Sequence, residues 1–186
     1  VLSIAAREPR PNARPGVVVR GEIDHQRLCT VDPASGRLRQ VSPPDLFVHE
    51  YDWSPDGRQF VFTAAPGPGS DNWYIAQLYT LSLDTGAMRP ILRFDSRIAG
   101  PRWSPDGKTV AFLSGNMSQG FPGGDVFTVP ATGGTPVNRM GDRKSSVGWI
   151  HWLSPEKLLV TEHLDGGSAI STLDLESGRF DTLWQG

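Results

Sequence analysis

Short apolar runs recur along the chain with a period of two: Phe60-Val61-Phe62-Thr63, Val110-Ala111-Phe112-Leu113 and Leu158-Leu159-Val160-Thr161. Runs of this length with alternate faces predict β-strands rather than helices. Each follows a similar turn: Trp53-Ser54-Pro55-Asp56-Gly57, then Trp103-Ser104-Pro105-Asp106-Gly107 fifty residues later, then a degraded copy, Trp152-Leu153-Ser154-Pro155-Glu156, after a further forty-nine. A second signal repeats in phase, a β-rich run that ends in a glycine turn: Leu28 to Gly36, Leu78 to Gly86, Val126 to Gly134 and Ile170 to Gly178. Two signals in register at one period identify an internal repeat.

Both turns have a mechanical reading. In Ser-Pro-Asp-Gly, proline presets φ for the first corner, aspartate bonds nearby backbone N–H groups, and glycine accepts the positive φ that follows. Pro33-Ala34-Ser35-Gly36, Asp84-Thr85-Gly86, Thr132-Gly133-Gly134 and Glu176-Ser177-Gly178 close a second hairpin. One period therefore reads as four antiparallel strands, in the third unit about 98–103, 109–114, 125–130 and 135–140. Four short strands every 45–50 residues mark the blade of a β-propeller. A β-sandwich would not require in-phase copies. The fold class expected is all-β, a β-propeller fragment of about four four-stranded antiparallel blades over 16–43, 47–93, 97–141 and 146–185. The first blade lacks its opening strand and begins near Gly16-Val17-Val18-Val19; residues 1–15 read as a linker or strap.

Composition narrows this picture. Of 186 residues, 21 are glycine and 16 proline, a density that leaves little room for long helices. A hydrophobic share of 38% with six tryptophans and eight phenylalanines still fills a core. No apolar run approaches the roughly 18 residues of a membrane span. A net charge of −2 and a pI near 6.1 argue against a nucleic-acid partner. The single cysteine, Cys29, cannot form an internal disulfide. The chain starts at Val1 without a leader-like segment, which suggests a processed or partial piece.

The longer motifs carry a family resemblance. Trp-Ser-Pro-Asp-Gly before a Val-Ala-Phe-type strand resembles the blades of TolB-like propellers and of the N-terminal propellers of the prolyl oligopeptidase family. Glu50-Tyr51-Asp52-Trp53, Thr63-Ala64-Ala65-Pro66-Gly67-Pro68-Gly69, Asn72-Trp73-Tyr74-Ile75-Ala76-Gln77-Leu78 and Gly123-Gly124-Asp125-Val126-Phe127-Thr128-Val129-Pro130 are similar to the dipeptidyl and acylaminoacyl peptidase type. The resemblance covers about 17–186. It implies a propeller that caps an α/β-hydrolase domain of the same parent chain, filters or orients peptide substrates, and belongs to a bacterial periplasmic or secreted serine peptidase. A TolB-like propeller that docks other proteins is the alternative.

The chain itself offers no catalytic residue. It has no Gly-x-Ser-x-Gly elbow; Gly115-Asn116-Met117-Ser118-Gln119-Gly120 places its serine one residue too late. His25, His49, His151 and His163 are not at metal-ligand spacings. Asp56 and Asp106 are explained by their turns, Gly67-Pro68-Gly69 lacks the ending of a phosphate loop, and Arg143-Lys144 is too short for a nucleic-acid patch. No cofactor or metal is expected.

Loop length supplies the functional asymmetry. The Ser-Pro-Asp-Gly and glycine turns are tight and fall on one side of a blade. The connections between second and third strands lie on the other side and vary: 65–76, 115–124 and only 163–167. Long loops carry function at small entropic cost, so Asp71, Trp73, Tyr74, Met117 and Phe121 are candidate contacts. Trp53, Trp103 and Trp152, each at the end of a first strand, are expected to pack between blades. By the resemblance to dipeptidyl peptidases, Glu50 and Tyr51 are candidates to hold a substrate's free amine. Four blades also leave two open sheet faces, so two copies associating to complete a ring are a further expectation.

Overall fold

The computed structural model describes residues 26–67, 70–115 and 123–186, with only the backbone described at 70 and 71. A hairpin of β1 (Cys29–Val31) and β2 (Leu38–Gln40) precedes three four-stranded antiparallel sheets. These are β3 (Leu46–Trp53), β4 (Gln59–Pro66), β5 (Gln77–Ser82) and β6 (Met88–Leu92); β7 (Ile98–Trp103), β8 (Thr109–Ser114), β9 (Asp125–Pro130) and β10 (Val137–Asn138); and β11 (Ser146–Ser154), β12 (Lys157–Leu164), β13 (Gly167–Asp174) and β14 (Phe180–Gln185). In every sheet spatial order follows chain order, so each is a simple meander. β3 packs beside β7, and β7 beside β11.

Alternation along the second strands explains how the sheets stack. Phe60 and Phe62 pack with Leu28 of the first unit, whereas their neighbour Val61 packs with Val110, Phe112 and Val129 of the third. Ala111 and Leu113 then face Val147, Ile150, Leu158 and Val160 of the fourth. Each middle sheet is thus buried on both faces. The third interface is the smaller-residue one on the β8 side, and the second is aromatic: Phe112 stacks on Phe127 at 5.6 Å between centroids and meets Phe94 edge-on at 5.9 Å. Consecutive meanders stacked face to face, with their first strands adjacent, are propeller blades.

The turns form as their residues require. Ser54 Oγ donates to Asp56 Oδ1 at 2.5 Å and accepts from Gln59 N–H, while Asp56 Oδ1 also accepts from Arg58 N–H. Ser104, Asp106, Lys108 and Thr109 repeat these bonds. The serine bond and the backbone N–H hold both carboxyls below the usual carboxylate range. Gly57 and Gly107 take φ of 69° and 73°.

Three details differ from the sequence expectation. The degraded third turn lacks glycine and closes more tightly, with Ser154 paired directly to Lys157 across Pro155-Glu156. An irregularity between Trp152 and Ser154 absorbs Leu153, so Trp152 lies inside β11 rather than at its end. The fourth strand of the third unit, expected at 135–140, contracts to 137–138. Pro136 has no N–H to add to the ladder, and the Asn138 side chain accepts from Met140 N–H at 2.8 Å. The first unit shows two strands among the described residues; the proposed opening at 16–19 and the 1–15 strap lie outside them.

Phe112 is fully buried between two sheets. Phe112→Ala should cost about 3–5 kcal/mol of unfolding free energy, read as a lower denaturant midpoint with an unchanged slope.

Candidate functional site

The first strand of the third blade, β7, presents its free edge to the neighbouring blades, and side chains fill that gap. Glu50 Oε2 accepts from Gly100 N–H at 2.6 Å, and Asp52 Oδ2 accepts from Trp103 N–H at 2.8 Å. From the other side, Trp152 Nε1 donates to Arg102 O at 3.0 Å. A bulge between Ala99 and Arg102 makes this possible; Gly100 sits within it at φ 54°, a conformation glycine adopts at little cost. Burial pushes the Glu50 carboxyl up, with Gly100 N–H and Arg102 pulling against it. Tyr51, on the opposite face, meets Phe60 edge-on within its own blade at 5.9 Å. Of the pair singled out in the sequence, Glu50 faces the junction with the third blade and Tyr51 the cluster its blade shares with Leu28 of the first unit. One carboxylate oxygen of Glu50 is already engaged, so recognition of an ammonium would fall to the other.

The tryptophans sit in or against the blade clusters. Trp103 joins Val61, Leu78 and Ile91 of the preceding blade, and Trp152 joins Ala99 and Ala111. Trp53 lies against the cluster that includes Leu28 of the first unit, its ring centroid 4.0 Å from that of Phe60.

At the other ends of the blades the connections differ as expected in length. The β4–β5 connection contains a short 3-10 helix, Ser70–Ile75, tied back by Asn72 Nδ2 donating to Pro66 O at 2.8 Å. The β12–β13 connection is only Asp165-Gly166, both at positive φ (51° and 81°), shorter than the 163–167 expected. The β8–β9 connection narrows to a neck at Gly115 and Gly124. A Cβ on Gly124 would lie 2.4 Å from Ser114 O, so only glycine fits, and Gly124 pairs with Val147 of the next blade. Trp73 packs against the cluster shared by the third and fourth blades, whereas Tyr74 is exposed. The Asp71 side chain, Met117 and Phe121 lie outside the described residues, as do His25 and Ser118.

Two arginine sites escaped the sequence reading. Arg97, immediately before β7, lies under Trp73 and Tyr74 with its guanidinium carbon 4.5 and 3.4 Å from the two ring centroids. Arg143 donates through Nε and Nη2 to both oxygens of Glu162, whose side chain has no exposed surface. Ser145 and Ser171 also donate to that carboxylate. Burial opposes the charge, but Arg143 and the two hydroxyls outweigh it and hold Glu162 below the usual range. Its signal was the register Leu158-x-Val160-x-Glu162, which places a carboxylate on a buried face. Beside it, Met140, Asp142, Arg143, Ser177 and Phe180 line an open depression of about 440 Å³. Among the described residues, no group of three or more His, Cys, Asp or Glu is placed to hold a metal ion, and no helix is long and apolar enough to cross a membrane.

The chain matches no protein family description. It is 28% identical over 150 residues to the uncharacterized peptidase YuxL of Bacillus subtilis, 78% of this chain and 20% of that protein. It is 33% identical over 76 residues to dipeptidyl-peptidase 5 of Porphyromonas gingivalis, 38% of this chain and 11% of that protein. Among solved structures, a TolB-like protein from Agrobacterium tumefaciens superposes with a TM-score of 0.65 at 20% identity, covering 88% of this chain and 58% of that one. A puromycin-hydrolyzing peptidase of Mycobacterium tuberculosis gives 0.66 at 22%, covering 86% and 27%. An oligogalacturonate lyase in complex with manganese gives 0.70 at 18%, covering 88% and 49%. The chain is a β-propeller fragment. Its relatives include TolB-like and peptidase-associated propellers, and it spans only a fifth of the B. subtilis peptidase. The propeller fold also serves a lyase, so the fold by itself assigns no chemistry.

The inner strand of this propeller also carries a pH-sensitive residue. Burial lowers the His49 pKa to about 4, below the ordinary value of about 6.5. As pH falls through that window the unfolded chain takes up the proton first, so this residue withdraws stability between about pH 6.5 and 4. Glu50, raised by burial, acts in the opposite sense. In chemical denaturation at a series of pH values, His49→Phe should flatten the acid-side decline in that window and leave the decline below pH 4 in place.

Proposed function

We propose that this propeller segment is the non-catalytic part of a prolyl oligopeptidase-family serine peptidase, covering the active site and filtering or orienting peptide substrates. The supporting observation is the match to a bacterial peptidase across most of the chain, on a scaffold whose long connections all emerge at one end of the blades. Tight, self-bonded turns occupy the opposite end, where Ser54, Asp56, Ser104 and Asp106 satisfy one another. The variable end holds Trp73, Tyr74 and the β8–β9 connection, and is the end fitted to face a catalytic domain and a peptide. The partners on this reading are an α/β-hydrolase domain of the same parent chain and peptide substrates; no cofactor is needed from this part.

A second reading treats the segment as a TolB-like module that docks other proteins, supported by the likeness to a TolB-like structure over 58% of that protein. The two readings diverge in the full-length protein. Replacing residues 116–122 by two glycines should change kcat/KM for long peptides while sparing hydrolysis of a short chromogenic substrate. Unchanged kinetics on both, in a protein that retains its thermal stability, would reject the capping role. Glu50→Gln supplies a narrower check, because an amine-holding role raises KM for free-amine substrates and leaves amine-blocked ones alone.

A further inference from the structure

Arg97 is buried, with 6% of its surface exposed, yet among the described residues neither Nη1 nor Nη2 has a hydrogen-bond acceptor. Guanidinium keeps its charge at every accessible pH and offers five N–H donors in one plane. Tyr74 and Trp73 stack against its face, which balances charge by the ring quadrupoles but leaves the in-plane Nη donors unanswered among the described residues. A buried charge in this state calls for an acceptor. The two aromatic neighbours differ in freedom. Trp73 is packed into the cluster formed with Ala99, Leu113 and Val147, whereas Tyr74 is 61% exposed and has solvent to move into.

We propose that Arg97 is the anchor of a carboxylate-binding site on the loop end of the propeller, with Trp73 as its fixed wall and Tyr74 as its movable cover. The planar fork of arginine matches the two oxygens of a carboxylate. Two sources of that group fit the site, the C-terminal carboxylate of an extended peptide and an acidic side chain within one. This rests on reading the loop end as the peptide-facing side. Position supports it: Arg97 directly precedes the first strand of the third blade, and Ile98 pairs with Ser114 at the neck of the β8–β9 connection. An incoming carboxylate would therefore lie at the end of the blades from which the β4–β5 connection emerges.

The test titrates the 186-residue chain with acetyl-trialanine as free acid, its C-terminal amide, and an amidated peptide carrying one glutamate. The readouts are the NMR signals of the Arg97 Nε–H and the Trp73 indole N–H. The free acid should shift both signals saturably and bind at least about tenfold more tightly than the amide; the glutamate peptide then shows whether a side-chain carboxylate serves as well. Arg97→Gln should abolish the response. Arg97→Lys, which keeps charge but loses the fork, should weaken it by about tenfold or more, and it guards against a folding defect in the glutamine variant. Asp71→Asn should leave acid binding in place. Equal responses to acid and amide, binding that survives Arg97→Gln, or acid binding that emerges only in Asp71→Asn would overturn the proposal, the last by making Asp71 the internal partner. Absent carboxylate binding beside altered peptidase kinetics in the loop replacement would overturn this site alone and leave the capping role standing.

Discussion

The structure depends on how β7, the first strand of the third blade, is answered at its free edge. Sheet hydrogen bonding satisfies one side of that strand; the other has no strand paired to it among the described residues. An unanswered row of N–H groups both costs free energy and invites non-native pairing. Here the preceding blade supplies carboxylates, Glu50 to Gly100 and Asp52 to Trp103, and the following blade supplies the Trp152 indole to the Arg102 carbonyl. These bonds orient one blade on the next, and the apolar clusters Val61/Phe112 and Leu113/Val147 can then close in register. Hydrophobic burial supplies the magnitude, while the edge bonds choose which of several similar stackings is adopted.

That division frees the far ends of the strands. With blade geometry fixed along the first strands and at the tight turns, the β4–β5, β8–β9 and β12–β13 connections can range from a 3-10 helix to a two-residue turn without disturbing the stack. At the Gly115/Gly124 neck the scaffold itself is tightly constrained, because a side chain on Gly124 would strike the Ser114 backbone. Variation on such a frame is how one fold comes to serve a peptidase, a TolB-like protein and a lyase.

Most of the blade architecture was legible in the amino-acid sequence because its signals are local. Ser54, Asp56 and Gly57 complete a turn among themselves, and period-two patterning assigns Phe60 and Val61 to opposite faces before any partner is known. What stayed hidden depends on contacts about fifty residues apart. Glu50 reads with Tyr51, by resemblance, as an amine site, and Asp52 carries no assignment, until the bulge at Gly100 brings N–H groups to Glu50 and Asp52. Arg97 sits in a connection with no periodicity, and nothing in its neighbourhood announces that Trp73 and Tyr74 fold over it. Glu162 was missed although its register with Leu158 and Val160 marks a buried face, because a lone carboxylate on such a face does not announce the Arg143 that answers it. The shortened β10 and the tightened third turn followed from single residues, Pro136 and the missing glycine after Glu156, whose effect on pairing is clear only against the neighbouring strand.

The most direct test of the edge account is amide hydrogen exchange at Gly100 and Trp103. Both N–H groups should be protected in the native chain, and replacing Glu50 and Asp52 together by alanine should raise exchange at these two amides by at least about a hundredfold, while Ala111 and Val129 in the same sheet change far less. Exchange at Gly100 and Trp103 that is fast from the outset, or that stays slow in the double variant, would contradict the claim that the preceding blade's carboxylates hold the edge.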